Sequence, residues 1–136
     1  LSLIIVNAFY ASDALIAPVQ MELLSFKGVF QTLEYVQFMG RYLQYRPDFF
    51  GVVPTMYRED NPWHRHWLER TRASMPASRV HEAIPFDPAI PEGLNRGMTA
   101  FDVEPGSPAA QAYGRLADRV AVELDPVPES GTQAAE

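Results

Sequence analysis

The spacing of hydrophobic residues changes several times along the chain and predicts alternating strands and helices. Residues 14–19 (ALIAPV) form a short continuous apolar run, typical of a strand covered on both faces in a parallel sheet. Residues 49–54 (FFGVVP) and 80–84 have the same character and predict two further strands. Between the first two runs, from Ser25 to about Tyr45, apolar residues recur every three or four positions, which predicts a helix.

Three more helices are expected. Leu1 to Tyr10 is ambiguous by periodicity alone, and we favour a helix there. A polar residue before Pro62 indicates another helix start, with Trp63 and Trp67 four residues apart and expected to face inward. Ser107 followed by proline indicates the last helix, whose apolar stripe continues to about residue 124.

Two segments are expected to be irregular. Residues 85–106 are rich in proline and glycine, and a long loop inside a compact domain usually supports a functional site. Residues 125–136 (DPVPESGTQAAE) contain acids and no base, which predicts a disordered acidic tail. We therefore expect one domain over residues 1–124, followed by that tail.

The order strand, helix, strand, helix, strand predicts an α/β fold with a parallel sheet. Ligands of such sheets bind outside the carboxyl ends of the strands. Residues 20–25, 55–61 and 85–91 follow the three predicted strands. We expect these segments to share one rim, which is where a functional site is predicted.

Composition restricts the class of protein. The chain has 136 residues, 47% of them hydrophobic, which is enough to bury a core, and it lacks cysteine. Disulfides and thiolate metal sites are therefore excluded, which fits a cytoplasmic protein. No apolar run reaches 18 residues, so a membrane span is not expected. The chain begins Leu-Ser-Leu rather than with methionine, and we expect it to be part of something longer.

Charge is distributed unevenly. The net charge is −6, which argues against wholesale coating of nucleic acid. Residues 58–79 are locally basic, with five arginines against three acids. On an overall acidic chain, this window is the place to look for a polyanion contact.

Residues 7–28 (NAFYASDALIAPVQMELLSFKG) carry a resemblance to a known family. They are similar to the pattern NAL-x-AAD-x-VLIPVQ-x-E followed by glycine, which comes after the Walker B aspartate in ParA-type partition ATPases of the ParA/MinD superfamily of deviant Walker ATPases. The triplet Thr55-Met56-Tyr57 and the series from Ile84-Pro85 to Tyr113 also fall on the family pattern. The resemblance covers residues 1 to about 124.

The resemblance implies the C-terminal half of a P-loop NTPase-like parallel sheet flanked by helices. In the complete protein it implies ATP and Mg²⁺, a self-dimer, non-specific DNA binding, a ParB-like partner and association with the nucleoid. The family's phosphate-binding half would lie before residue 1. No G-K-[ST] occurs here, since Gly28 follows the only lysine, Lys27. We expect this chain alone to be inactive and to bind neither ATP nor Mg²⁺. We also expect it to be poorly soluble or oligomeric because half a sheet leaves an edge open.

The resemblance also implies residues for the adenine side of a nucleotide pocket. Strand-end backbone groups can bind an adenine edge while apolar side chains supply a flat wall. The residues in these positions are Thr55, Met56, Pro85, Phe86 and Asp87. The alternative is that the proline and phenylalanine only end a strand and pack.

Two polar residues follow the first strand. Gln20 and Glu22 are candidates for the rim of the nucleotide pocket or the dimer interface, with helix capping or solvent exposure as the alternative. An aromatic stripe on the long helix, from Tyr35 to Tyr45, is interpreted either as deep packing or as a contact with a partner subunit.

DNA contacts in the family use arginines, two of which are replaced here by Phe86 and Ala89. The remaining candidates are Arg65, Arg70, Arg72 and Arg96, which can meet phosphates by charge; the alternative is a solvated basic face. His64 and His66 with Glu69 are not expected to form a metal site, because residues two apart on a helix point to different sides.

Two other functions stay open. One is a MinD-like positioning ATPase or another deviant Walker enzyme such as an amidoligase; residues 125–136 do not resemble the membrane-targeting helix that ends MinD relatives. The other is a truncated non-catalytic module that binds a partner protein, motivated by the absence of a P-loop from the chain. An upstream P-loop in the same reading frame would exclude the second.

Overall fold

A computed structural model describes residues 3–45 and 47–124. In chain order the elements are α1 (Leu3–Tyr10), β1 (Ala14–Gln20), α2 (Leu23–Leu43), β2 (Asp48–Thr55), α3 (Pro62–Ser74), a 3₁₀ turn (Ala77–Arg79), α4 (Ala89–Arg96), α5 (Ala100–Val103) and α6 (Pro108–Leu124). The α/β class, the first two strands and the four expected helices are confirmed, with bounds shifted by a few residues. The predicted tail, residues 125–136, lies outside the described residues.

β1 and β2 form a parallel pair that runs from Ala14 opposite Asp48 to Gln20 opposite Thr55. The register shifts near the start, so that Phe50 is an extra residue on β2. The following residue, Gly51, has φ of +147°, and a Cβ there would lie 2.5 Å from the Arg79 carbonyl oxygen. Glycine is needed at this position because of both its conformation and the close approach of the neighbouring chain.

The predicted third strand at residues 80–84 is wrong as a continuous strand. That segment runs beside β2 and bonds to it, with His81 N–H to the Val52 carbonyl at 2.9 Å and Ile84 N–H to the Pro54 carbonyl at 2.8 Å. Only isolated parallel bridges form, one of them pairing Val80 with Val52. Pro54 has no N–H to return to the segment, so the ladder is interrupted there.

Helices cover the sheet on two faces. On the first face α2 and α3 pack over the core cluster Val19, Met21, Val29, Val52 and Leu68. On the second face Ala109 and Ala112 of α6 and Ile90 of α4 pack against Val53 and Ile84. Side chains of successive strand residues point to opposite faces, which is why Val52 and Val53 belong to different clusters. The layers are those of an open α/β sheet.

The expected irregular segment at residues 85–106 is also wrong, because it contains α4 and α5. Local capping explains both helices. Gly97 ends α4 in the left-handed conformation, with φ of +67°. Thr99 begins α5 with a capping box: its hydroxyl accepts the Asp102 N–H, and the Asp102 carboxylate accepts the Thr99 N–H. Prolines in the first turn of a helix are tolerated, so proline content misled the prediction.

Aromatic side chains are more exposed than expected. Trp63 is 70% exposed, so the prediction that it faces inward is wrong, whereas Trp67 packs against the core and its ring centroid lies 5.2 Å from that of Phe26. Phe38 and Tyr42 on α2 are 49% and 72% exposed, which contradicts deep packing of that stripe. Among the described residues, each helix is too short or too polar to cross a membrane.

Candidate functional site

The carboxyl edge of the sheet brings the three predicted segments together. Gln20 and Thr55 are paired at the ends of β1 and β2. The Gln20 side-chain amide donates to the Met56 sulfur at 3.0 Å. Tyr57 forms a parallel bridge with Pro85. The three segments therefore share one rim, as predicted, and we call this rim the carboxyl edge.

Met56 is strained at this edge. Its φ of +51° places a non-glycine residue in the left-handed region, which costs roughly 1–2 kcal/mol. Its side chain is 54% exposed, so core packing does not offset that cost. Backbone strain of this kind is concentrated at ligand sites. Its neighbour Thr55 is half-buried.

Phe86 lies at the same edge, where its N–H donates to the Tyr57 carbonyl at 2.8 Å, and the residue is 46% exposed. The Arg58 guanidinium lies over that ring, 4.0 Å from the centroid. Sequence reasoning did not select Arg58, although it follows the Thr55-Met56-Tyr57 triplet directly. A cation stacked on a half-exposed aromatic ring gives this part of the edge a flat and positively charged surface.

Asp87, another predicted adenine contact, is buried and turned into the fold. One carboxylate oxygen accepts the Ala89 N–H at 2.9 Å and the other accepts the Ala109 N–H at 3.0 Å. These bonds, the one from Ala109 foremost, hold the pKa of Asp87 below its ordinary value. The carboxylate therefore fixes the starts of α4 and α6, and a contact with a base would have to come from the backbone.

Glu22 is the N-cap residue of α2, but its side chain makes no capping bond. It is exposed, and its backbone N–H donates to the Gln20 carbonyl at 2.8 Å. The backbone bond fixes the turn that leads away from β1. Both side chains lie at the carboxyl edge, where their assignment to a pocket rim or dimer interface stays a prediction.

The four candidate arginines for DNA fall into two groups. Arg96 is paired with Glu92 at 2.7 Å, one helical turn away on α4. Arg65, Arg70 and Arg72 on α3 are exposed, and no carboxylate within residues 3–45 and 47–124 forms an ion pair with them. An arginine without an intramolecular partner keeps its charge available for a phosphate.

The three arginines of α3 do not share one face. Arg65 and Arg72 are seven residues apart and therefore lie on the same side of the helix. Arg70 is turned from Arg65 by about 140° at 100° per residue, and it shares a face with Trp63. A flat polyanion can contact one of these sides closely, so Arg65 and Arg72 form the stronger pair.

The described residues contain no group of three or more histidines and acids close enough to hold a metal ion. The two histidines of α3, His64 and His66, have other surroundings. His64 accepts the Arg58 N–H through Nδ1 at 3.1 Å. The His66 ring meets the Trp63 and Trp67 rings edge-on. These contacts orient the loop between β2 and α3.

A groove of about 720 Å³ runs along β1 and α2 and ends at Gln20 and Thr55. Its walls are largely apolar and include Leu15, Ile16 and Val36. The groove therefore leaves an apolar surface of β1 and α2 open next to the carboxyl edge.

Comparison with known proteins gives a consistent relationship, although no family model matches the chain. The chain is 29% identical over 120 residues to the chromosome-partitioning ATPase Soj of Thermus thermophilus, covering 88% of this chain and 48% of Soj. It is also 29% identical over 121 residues to the chromosome partitioning protein ParA of Caulobacter vibrioides, covering 88% of this chain and 45% of ParA. The chain spans about half the length of the curated relatives it matches.

Solved structures share the fold. An ATP complex of McdA from Cyanothece superposes with a TM-score of 0.70 at 17% identity, covering 83% of this chain and 45% of McdA. The septum site-determining protein MinD of Pyrococcus horikoshii, in complex with Mg-ADP, superposes with a TM-score of 0.64 at 23% identity, covering 88% of this chain and 46% of MinD. At these identities the structures establish the α/β fold of the chain.

Proposed function

We propose that this chain, which is of the ParA/MinD type and is related to the ParA-type chromosome-partitioning ATPases, contributes the adenine side and the dimer surface of a partition ATPase. The observation that carries the proposal is the 29% identity to Soj over 88% of the chain. The carboxyl edge supports it, because open parallel sheets bind ligands there. Residues 1–124 correspond, in this proposal, to the C-terminal half of the ATPase domain.

The adenine side consists of Thr55, Met56, Pro85, Phe86 and the backbone of Asp87. The chemistry of these residues fits a base. Phe86 and Met56 have half-exposed apolar surfaces, and Met56 is held in a strained conformation beside the Gln20 amide. ATP supplies the bond that is hydrolysed, and Mg²⁺ would be held with the phosphates by the residues of the other half. The role of this chain is to bind and orient the base.

DNA binding is the second part of the proposal. Arg65 and Arg72 favour it, because they are exposed and form no ion pair with a carboxylate of the described residues. Arg70 points to a different side of α3, and Arg96 is paired with Glu92. Contacts of this kind carry no base specificity and weaken with salt. A ParB-like partner that stimulates hydrolysis, and ATP-dependent self-dimerisation, complete the proposed cycle of the whole protein.

Two alternatives remain. A MinD-like positioning ATPase has the same fold, and a non-catalytic partner-binding module would need no phosphate-binding half. The protein expressed from its complete reading frame tests the second alternative. A P-loop in that frame, ATP turnover and ATP-dependent dimerisation are expected, whereas a frame without a P-loop would favour the partner-binding module.

The DNA part is tested on the same complete protein by a salt-dependent DNA shift assay. The double change Arg65→Glu and Arg72→Glu should weaken binding by at least about tenfold and flatten the dependence on salt, because each lost phosphate contact lowers the salt slope by about one. Arg96→Glu should have a smaller effect, and Arg41→Glu on α2 is the control for charge alone. Unchanged affinity in the double variant would remove the DNA assignment.

A further inference from the structure

The pairing of Arg58 with Phe86 is held by the backbone on both sides. Tyr57 N–H donates to the Ile84 carbonyl at 3.0 Å, and Phe86 N–H donates to the Tyr57 carbonyl at 2.8 Å. The N–H of Arg58 itself is bonded to His64 Nδ1 at 3.1 Å. These bonds hold the backbone of both residues in place, so the two neighbouring side chains are preorganised for a common ligand.

The guanidinium of Arg58 forms no ion pair within the described residues. Glu59 and Asp60 follow it directly in sequence, yet within the part of the chain that the structure describes no carboxylate pairs with its guanidinium. The guanidinium lies 4.0 Å from the centre of the Phe86 ring instead. Both residues are exposed. The second face of a stacked guanidinium is suited to a planar, electron-rich partner such as a nucleobase.

From this geometry we infer that Arg58 and Phe86 form a stacking platform for the base of an adenine nucleotide at the carboxyl edge. The inference rests on the proposed function and names a positioning residue, Arg58, that the proposal lacked. The strained, exposed Met56 and the Gln20 amide lie at the same carboxyl edge. The platform binds the ring of the base, so it selects for the base and does not depend on the phosphates.

The test measures adenosine and ATP binding to the protein expressed from its complete reading frame by saturation-transfer NMR, which detects millimolar affinities. Arg58→Gln and Phe86→Leu should each weaken adenosine binding by about five- to tenfold. Arg58→Lys, which keeps the charge but loses the planar group, should also weaken it. Arg41→Gln is the matched control. Arg41 lies near the end of α2, about 27 Å from the start of that helix at 1.5 Å per residue.

The outcomes separate the inference from the proposed function. Adenosine binding that is equal in the native chain and in the Arg58 and Phe86 variants would overturn the platform and leave the nucleotide site standing. Displacement of ATP by tripolyphosphate, with Arg58→Lys unaffected, would also overturn it, because Arg58 would then bind phosphate by charge. A complete native protein that binds neither adenosine nor ATP would overturn both. Circular dichroism checks that each variant is folded.

Discussion

The two strands of the sheet differ on the second face. Over β2, Val53 is 2% exposed and lies beneath Ala109 and Ala112 of α6. Over β1, the residue registered with Val53 is Pro18, which is exposed, and Ile16 on the same face is 44% exposed. We call these the closed side and the open side. Neighbouring strands of one pair thus have very different surroundings.

The difference follows from which helices the chain supplies. Residues 80–84, which follow α3, run beside β2, and the chain then continues into α4, α5 and α6. The small alanines of α6 allow close packing over Val53. Helix α1 contributes no buried residue, and it contacts α2, which packs on the first face. A parallel strand normally has both faces covered, so β1 has the composition of a central strand in the position of an edge. We therefore expect residues of the closed side to contribute most to the stability of the chain. We expect residues of the open side to determine its self-association.

The same change at two isoleucines tests this comparison most strongly. Ile84→Ala removes a side chain that is 1% exposed and should lower the free energy of unfolding by about 3–4 kcal/mol. Ile16→Ala on the open side should lower it by less than about 1 kcal/mol. Urea denaturation measures both. Equal losses would mean that the open side is covered in solution.

The caps of the closed side provide the next test. Asp87→Ala removes the acceptor for the Ala89 and Ala109 N–H groups and should destabilise the chain by about 2–3 kcal/mol, since two helices lose a cap. Asp102→Ala, which breaks the exposed capping box of α5, is the matched control and should have a smaller effect. Thermal unfolding measures the difference. If the two variants melted alike, Asp87 would not anchor the covering helices.

The spacing of apolar residues was sufficient to predict the fold class, the carboxyl edge and four helices. Long periodic segments are predictable because their apolar residues must lie on the buried face of a helix or strand. The prediction failed where a single residue determines the local structure. Pro54 interrupts a ladder, Gly97 ends a helix, and Trp63 stays exposed despite its spacing from Trp67. Of the site, the loop positions were predictable. The stacking of Arg58 on Phe86 depends on a tertiary bridge that no local pattern contains.

Association should depend on the open side. We expect the native chain to self-associate through the face of β1 that carries Ile16, because it exposes apolar side chains beside an open strand edge. Ile16→Lys should weaken that association by about tenfold, as measured by sedimentation. Phe101→Lys alters a comparably exposed apolar residue on α5 and is the control. Equal effects of the two changes, or a native monomer, would contradict this role of the open side.

The smallest expected effect concerns pH on the closed side. His81 is 2% exposed, stacks on Phe50 with ring centroids 4.6 Å apart, and places Nε2 3.2 Å from the Phe50 carbonyl oxygen. Its Nδ1 is buried without a partner in the described part of the chain. Burial lowers the pKa of His81; the bond to the Phe50 carbonyl opposes this in part, and the nearby charge of Arg119 adds to it.

Because the pKa of His81 is lower in the folded state, the unfolded chain takes up the proton first as pH falls. Stability is therefore complete above the ordinary histidine pKa of about 6.5 and declines below it, by at most about 1.4 kcal/mol per pH unit. Urea denaturation between pH 7.5 and 5 measures the decline. His81→Gln should flatten it and His66→Gln should not. An NMR titration of native His81 gives a second test, and a pKa at or above 6.5 would show that closing this side of the sheet does not keep the imidazole neutral.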